Sequence, residues 1–154
     1  MGEQHVEAVV ALLARPEVQP WWGTFNAARV RAGLIADADS TYLAILEGGH
    51  LVGIIGWYEE DDPEYRHAGM DIAVAPEVFG TGVGLAALRA VAGMLIGERG
   101  HHRLVIDPSA ANARAIAAYQ KIGFRPVGVM RRYENLHGEW TDSLLMDLLA
   151  GELE

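Results

Sequence analysis

Residues 78–90 read VFGTGVGLAALRA. Gly80, Gly82 and Gly84 alternate, and a helix-like stretch follows at once. Alternating glycines clear side chains from a path and let backbone N–H groups approach a ligand closely. At a helix N-terminus that ligand is commonly a phosphate. Gly82-x-Gly84-x-x-Ala87 fits a dinucleotide-binding pattern, with Asp107 25 residues after Gly82. The run follows a strand meander, however, and not the first βαβ unit that such a fingerprint needs. A P-loop is excluded, because no Lys-Ser/Thr pair follows the glycines. A glycine-rich turn with no ligand is the plain alternative, and three glycines make a costly helix entry for that purpose alone.

Other chemistry-bearing residues lie around this run. Asn112 and Tyr119 are seven residues apart, two helical turns, and so share a face. Asp71 lies in the strand before the glycines. Asp107 ends the strand after them, where such sheets face ligands. Either could instead be structural, as a bulge or turn cap. Trp21 and Trp22 offer flat faces suited to sugar rings and ammonium groups, or to core packing. Tyr58, Glu59, Glu60, Asp61, Asp62 and Glu64 form an acidic strand end and turn, a solvated loop or a lure for cations. Asp142 is a further carboxylate that could line the same cleft. His101 and His102 have no third ligand nearby, so no metal site is expected.

These residues need elements to position them. His5 to Arg15 reads as an amphipathic helix, with Val6, Val9, Val10 and Leu13 on one side, and Pro16 stops it. PEVQPWWG is a loop, and a second helix runs from about Asn26 to Ala36. TYLAILE and HLVGIIGWYE form a hairpin around Gly48-Gly49. AGMDIAV is a third strand, and the glycine run opens a helix reaching about Gly97. RLVID is a buried-type strand, PSAANARAIAAYQKIGF a helix stopped by Gly123, and PVGVMRRYE and EWTDSLLMDLL are the last strands. The order α-α-β-β-β-α-β-α-β-β predicts an α/β (α+β) chain: a mixed sheet with helices on its faces.

The 154 residues fit a single domain, 1–154. No apolar run reaches the ~18 residues of a membrane span, and MGEQHVEAVV lacks the marks of a secretory signal. Without cysteine there are no disulfides, thiolate metal sites or cysteine nucleophiles. A cytoplasmic protein is the default expectation. A net charge of −9 argues against nucleic acid as a partner and suits a cationic one, or serves solubility.

Taken together, VAPEVFGTGVGLAALRAV and DPSAANARAIAAYQKIGF resemble the signature of the GCN5-related N-acetyltransferase (GNAT) superfamily, and the resemblance spans about residues 5 to 149. It implies a mostly antiparallel sheet with splayed central strands and helices on both faces. It implies acetyl-CoA as the acyl donor, its pyrophosphate on the amides of Val78 to Gly84. Its pantetheine arm would lie along the strand Asp71 to Ala75, opposite Arg103 to Asp107. The implied cofactor contacts are Ile72, Ala73, Val74, Phe79, Gly80, Thr81, Gly82, Val83, Gly84, Asn112, Ala115 and Tyr119. Tyr119 matches the tyrosine that protonates the departing thiolate.

Two positions depart from the pattern. Phe79 stands where the family usually has Arg or Gln, so the grip on phosphate is expected to be mostly backbone. The usual first edge strand before the first helix is missing or short, which would leave a sheet edge that a second chain could cover. A monomer or a homodimer is compatible with this.

QPWWG, TYLAILEGGHLVGIIGWY, the acidic turn, GMDIAV and DPSAANARAIAAYQKIGF are similar, in the same order, to bacterial aminoglycoside 6'-N-acetyltransferases. That similarity implies a small cationic substrate held by Trp21, Trp22, Tyr58, Asp71 and Asp107, and antibiotic resistance as the outcome. Asp71 would orient the amine or accept its proton. A carboxylate near its ordinary pKa of ~4 is a poor base for an ammonium, so orientation is the expected job. The tail VGVMRRYENLHGEWTDSLLMDLL also resembles acyltransferases acting on ribosomal proteins or phosphinothricin. This leaves a protein N-terminus or another small amine as the alternative acceptor.

Overall fold

The computed structural model describes residues 1–154. Its elements in chain order are α1 (Val6–Leu13), α2 (Gln19–Trp22), α3 (Ala27–Val30, continuing as a π-helical stretch Arg31–Ile35), β1 (Ser40–Glu47), β2 (His50–Glu60), β3 (His67–Val74), α4 (Val83–Gly97), β4 (Arg103–Ile106), α5 (Ala113–Gln120), β5 (Arg125–Glu134) and β6 (Thr141–Leu149). QPWW is thus a single helical turn, not loop. Pro20 fits there because the first turn of a helix needs no proline N–H. No strand precedes α1, where Glu3–His5 form a 3-10 turn. No helix is long and apolar enough to cross a membrane.

The six strands form one sheet in the order β1-β2-β3-β4-β6-β5. Every pair is antiparallel except β3 and β4. β1 and β2 close around Gly48-Gly49, with Glu47 opposite His50. Side chains alternate across a strand, so neighbouring residues feed two separate apolar cores. Ile55, Trp57, Ala68 and Met70 pack with Leu88, Val91, Ala92 and Leu95 of α4 and with Tyr119, Ile122 and Phe124. Ile54 and Ala73 pack with Val6, Val9, Leu12 and Leu13 of α1 and with Val30 and Leu34. The two cores lie on opposite faces of the sheet.

That opening is visible in the register. β3 and β4 pair only at Ala68↔Leu104 and Gly69↔Val105. Beyond them the strands diverge, and the edge of β3 from Asp71 to Val74 has no strand neighbour on that side. A parallel pair broken after two rungs leaves backbone donors and acceptors free for a ligand.

Candidate active site

A cavity of about 800 Å³ fills the divergence, and residues from α2, β2, β3, the glycine loop, α4, β4, α5 and β5 line it. Trp21, Trp22, Tyr58, Asp71, Ile72, Ala73, Val74, Phe79, Gly80, Gly82, Gly84, Asp107, Asn112, Ala115 and Tyr119 all face this one space. Residues spread from 21 to 119 in sequence therefore meet in one cleft. Thr81 and Val83 do not line it. The Thr81 hydroxyl donates to the Val78 carbonyl at 2.9 Å and accepts from the Val83 amide at 3.4 Å, which shapes the turn. Asp142 also stays outside the cleft; its Oδ1 accepts from the Arg132 amide at 2.8 Å.

The glycine loop divides its amides into two sets. Those of Val78, Phe79 and Thr81 donate to the carbonyls of Ala75, Pro76 and Val78, and that of Val83 donates to Thr81. Those of Gly80, Gly82, Gly84 and Leu85 have no protein acceptor, and all four residues line the cavity. The loop therefore offers a subset of the expected run Val78 to Gly84, because alternate amides close the turn. Gly80 and Gly82 have φ of 76° and 93°, a region that favours glycine, and a Cβ on either would meet nothing within 4 Å. The result is an open cradle of N–H groups at the positive end of α4, a fit for a diphosphate.

α5 begins at Asn112, whose Oδ1 caps the helix by accepting from the Ala115 amide at 3.2 Å. Its Nδ2 hydrogens remain for the cavity. Tyr119, two turns later, is buried, and its ring meets Phe124 edge-on at 6.2 Å. Burial, with Asp71 and Asp107 behind it, pushes the phenol above its ordinary range. Tyr119 therefore keeps its proton throughout the physiological range.

Carboxylates and phenols gather beyond the splay point. Asp71, Asp107 and Glu134 line the cavity together with Tyr58 and Tyr133. Desolvation raises Asp71 from 3.8 to about 6, and repulsion from Asp107 and Glu134 adds to it, while a hydrogen bond from Tyr42 opposes it. Asp71 is open to the cavity's water yet surrounded by protein on its other sides, so both influences act on it. Burial also raises Asp107, against hydrogen bonding from Tyr133. Glu134 is raised by burial and by Asp107. Three carboxylates that hinder one another's ionisation are relieved by a cation among them.

Sequence reading missed Tyr42, Tyr133, Glu134 and Arg114. Tyr42 Oη donates to Asp71 Oδ2 at 3.3 Å across the intervening strand β2. The register sets Tyr42 opposite Gly56, and Gly56 opposite Asp71. A Cβ on Gly56 would fall inside the Tyr42 ring, so glycine lets the phenol lie across to the carboxylate. Tyr133 and Glu134 enter through an irregularity between Met130 and Glu134, where Arg132 takes φ of 50°. The Asp142 carboxylate holds that bulge. Arg114 lies over the Phe79 ring at 3.7 Å. None of these contacts has a signal in local sequence.

The family model described as acetyltransferase (GNAT) family matches residues 7–124. An aminoglycoside N(6')-acetyltransferase type 1 from Klebsiella pneumoniae is 28% identical over 149 residues, covering 84% of this chain and 74% of that protein. Among solved structures, RimJ from Mycobacterium smegmatis in complex with CoA-disulfide superposes with a TM-score of 0.86 at 24% identity, over 99% of this chain and 81% of that one. AAC(6')-Ib in complex with paromomycin and acetyl-CoA superposes with a TM-score of 0.80 at 24% identity, over 99% and 93%.

Proposed function

The chain belongs to the acetyltransferase (GNAT) family and uses acetyl-CoA, and from that premise we propose that it acetylates the 6'-amine of an aminoglycoside. The observation that carries the proposal is the cluster Asp71, Asp107 and Glu134, framed by Tyr58 and Tyr133 at the open end of the strand gap. Mutually repelling carboxylates with aromatic walls suit a polycationic sugar better than a peptide N-terminus, which brings a single ammonium. Trp21 and Trp22 line the same cavity, and Trp22 meets Tyr42 edge-on at 6.4 Å. The similarity to a 6'-acetyltransferase adds support. The proposed place of action is the cytoplasm.

The bound thioester supplies an activated acetyl group; the chain supplies position and protons. Unpaired backbone on β3 from Asp71 to Val74 is suited to the pantetheine arm, and the free amides of Gly80, Gly82, Gly84 and Leu85 to the diphosphate. Asp71 orients the acceptor ammonium. With its carboxyl raised to about 6, it also takes up a proton more readily than an ordinary carboxylate. Tyr119 Oη holds its proton at the cavity wall, ready for a departing thiolate.

The test is a panel of amines with acetyl-CoA, followed by release of free thiol. Kanamycin and neamine should turn over, and an analogue carrying a hydroxyl at the 6' position should not. Equal turnover of that analogue would remove the regiochemical assignment. Turnover of N-terminal peptides with none of the amino sugars would replace the substrate class.

A further inference from the structure

The cavity lining carries four acidic residues, Glu17, Asp71, Asp107 and Glu134, and only two Lys or Arg residues, Arg114 and Lys121, both from the α5 segment. Arg114 sits over Phe79 of the glycine loop, its guanidinium carbon 3.7 Å from the ring centroid. Phe79 itself carries no charge and immediately precedes the first free amide, Gly80. Arg114 Nη2 makes a long 3.4 Å hydrogen bond to the Glu17 carbonyl, and no carboxylate lies within ion-pair distance of it. The nearest acidic residue of the loop, Glu77, is bound by Arg15 at 2.6 Å. An arginine without an ion-pair partner in a chain of net charge −9, held over the Phe79 ring in the cavity that the four free N–H groups also line, has its remaining donors available.

We propose that Arg114 is a side-chain ligand for the diphosphate of CoA, with Phe79 as the platform that orients it. The inference rests on the reading that CoA occupies the strand gap. The contact with the ring holds the guanidinium in place at little entropic cost and leaves N–H donors for phosphate oxygens. The loop thus contributes amides and an aromatic surface, and the cation arrives from a helix 35 residues further along the chain. The mostly backbone grip expected from Phe79 gains a charged partner through tertiary contact.

Equilibrium binding by calorimetry tests this without turnover, using CoA, 3'-dephospho-CoA and pantetheine. Arg114→Ala should weaken CoA and 3'-dephospho-CoA about 10- to 50-fold, as for loss of a charge-assisted hydrogen bond, and leave pantetheine unchanged. Phe79→Leu should weaken both nucleotides about threefold by removing the platform. The double variant Phe79→Arg with Arg114→Ala should recover most of the lost affinity, since the new guanidinium starts from the loop. Arg114 is exposed, so thermal midpoints should stay close to that of the parent chain. CoA binding by Arg114→Ala within about twofold of the parent would overturn the proposal. So would a loss that disappears with 3'-dephospho-CoA, which assigns Arg114 to the 3'-phosphate, or an equal loss with pantetheine, which reduces it to packing. If the parent chain itself fails to bind CoA, the reading of the gap fails and not only the role of Arg114.

Discussion

Tyr42→Phe deletes one hydroxyl and leaves its ring on Gly56. The deleted group donates to Asp71 at 3.3 Å, long for an O–H···O bond. Hydrogen bonds to charged groups contribute ~1.5–3 kcal/mol. This length, with cavity water screening the carboxylate, puts the bond below that range, at about 1 kcal/mol. Since 1.36 kcal/mol corresponds to about one pH unit, losing the bond should move the titration of Asp71 upward by about 0.5–1 pH unit. The sign follows from the cause: Tyr42 stabilises the ionised form, so its removal favours the protonated one. If ionised Asp71 holds the acceptor, the acid limb of kcat/KM lies near pH 6 in the parent chain and moves up in the variant. Activity should then fall about threefold at pH 6 and be nearly unchanged at pH 8. The assay is thiol release across pH 5 to 9 with kanamycin, and Asp71→Asn should lack this limb altogether. Ionisation of the acceptor amine is common to both proteins and cancels in the comparison. A uniform loss at every pH, or a limb that stays in place, would refute the role assigned to Tyr42.

Three further outcomes are expected. Gly56→Ala puts a methyl group where the Tyr42 ring lies; it should reproduce the pH shift and also lower stability by about 1–3 kcal/mol, read by urea unfolding. Tyr119→Phe keeps the packing against Phe124 and removes only the hydroxyl; kcat should fall about 10²-fold while CoA affinity by calorimetry holds, and unchanged kcat would remove the proton-donor role. Asp71 titrates near 6 folded against 3.8 as its ordinary value, so its ionised form opposes folding above about pH 6 and this opposition fades as pH falls toward the ordinary value. Asp71→Asn should therefore melt higher than the parent at pH 7.5, the gap narrowing as pH falls below about 6 and closing only below the ordinary value of 3.8, and a gap that widens in acid would contradict the raised titration.

Much of this architecture is legible because its causes are local. Helical spacing of Val6, Val9 and Leu13, the two-glycine turn at 48–49 and the stop at Gly123 act over a few residues, and the observed elements follow them. The one-turn helix at Gln19–Trp22 was hidden by Pro20, which reads as a breaker until its place in a first turn is known. The glycine loop was legible as a candidate phosphate cradle, yet which amides remain free depends on hydrogen bonds within the folded turn.

Residue type and spacing were enough for the strand and helix order, for the glycine run at the start of α4 as a candidate phosphate cradle, and for Asp71, Asn112 and Tyr119 as residues that could do chemistry. All of these depend on residue type and short spacing. Which groups meet depends on the folded chain. Tyr42 reaches Asp71 because two registers align them across a glycine. Tyr133 and Glu134 enter the cleft because a bulge held by Asp142 turns the strand. Arg114 reaches Phe79 because α5 packs beside the loop. Those pairings come from the register of the strands and the packing of the two cores, which bring together residues that share no local pattern in the chain.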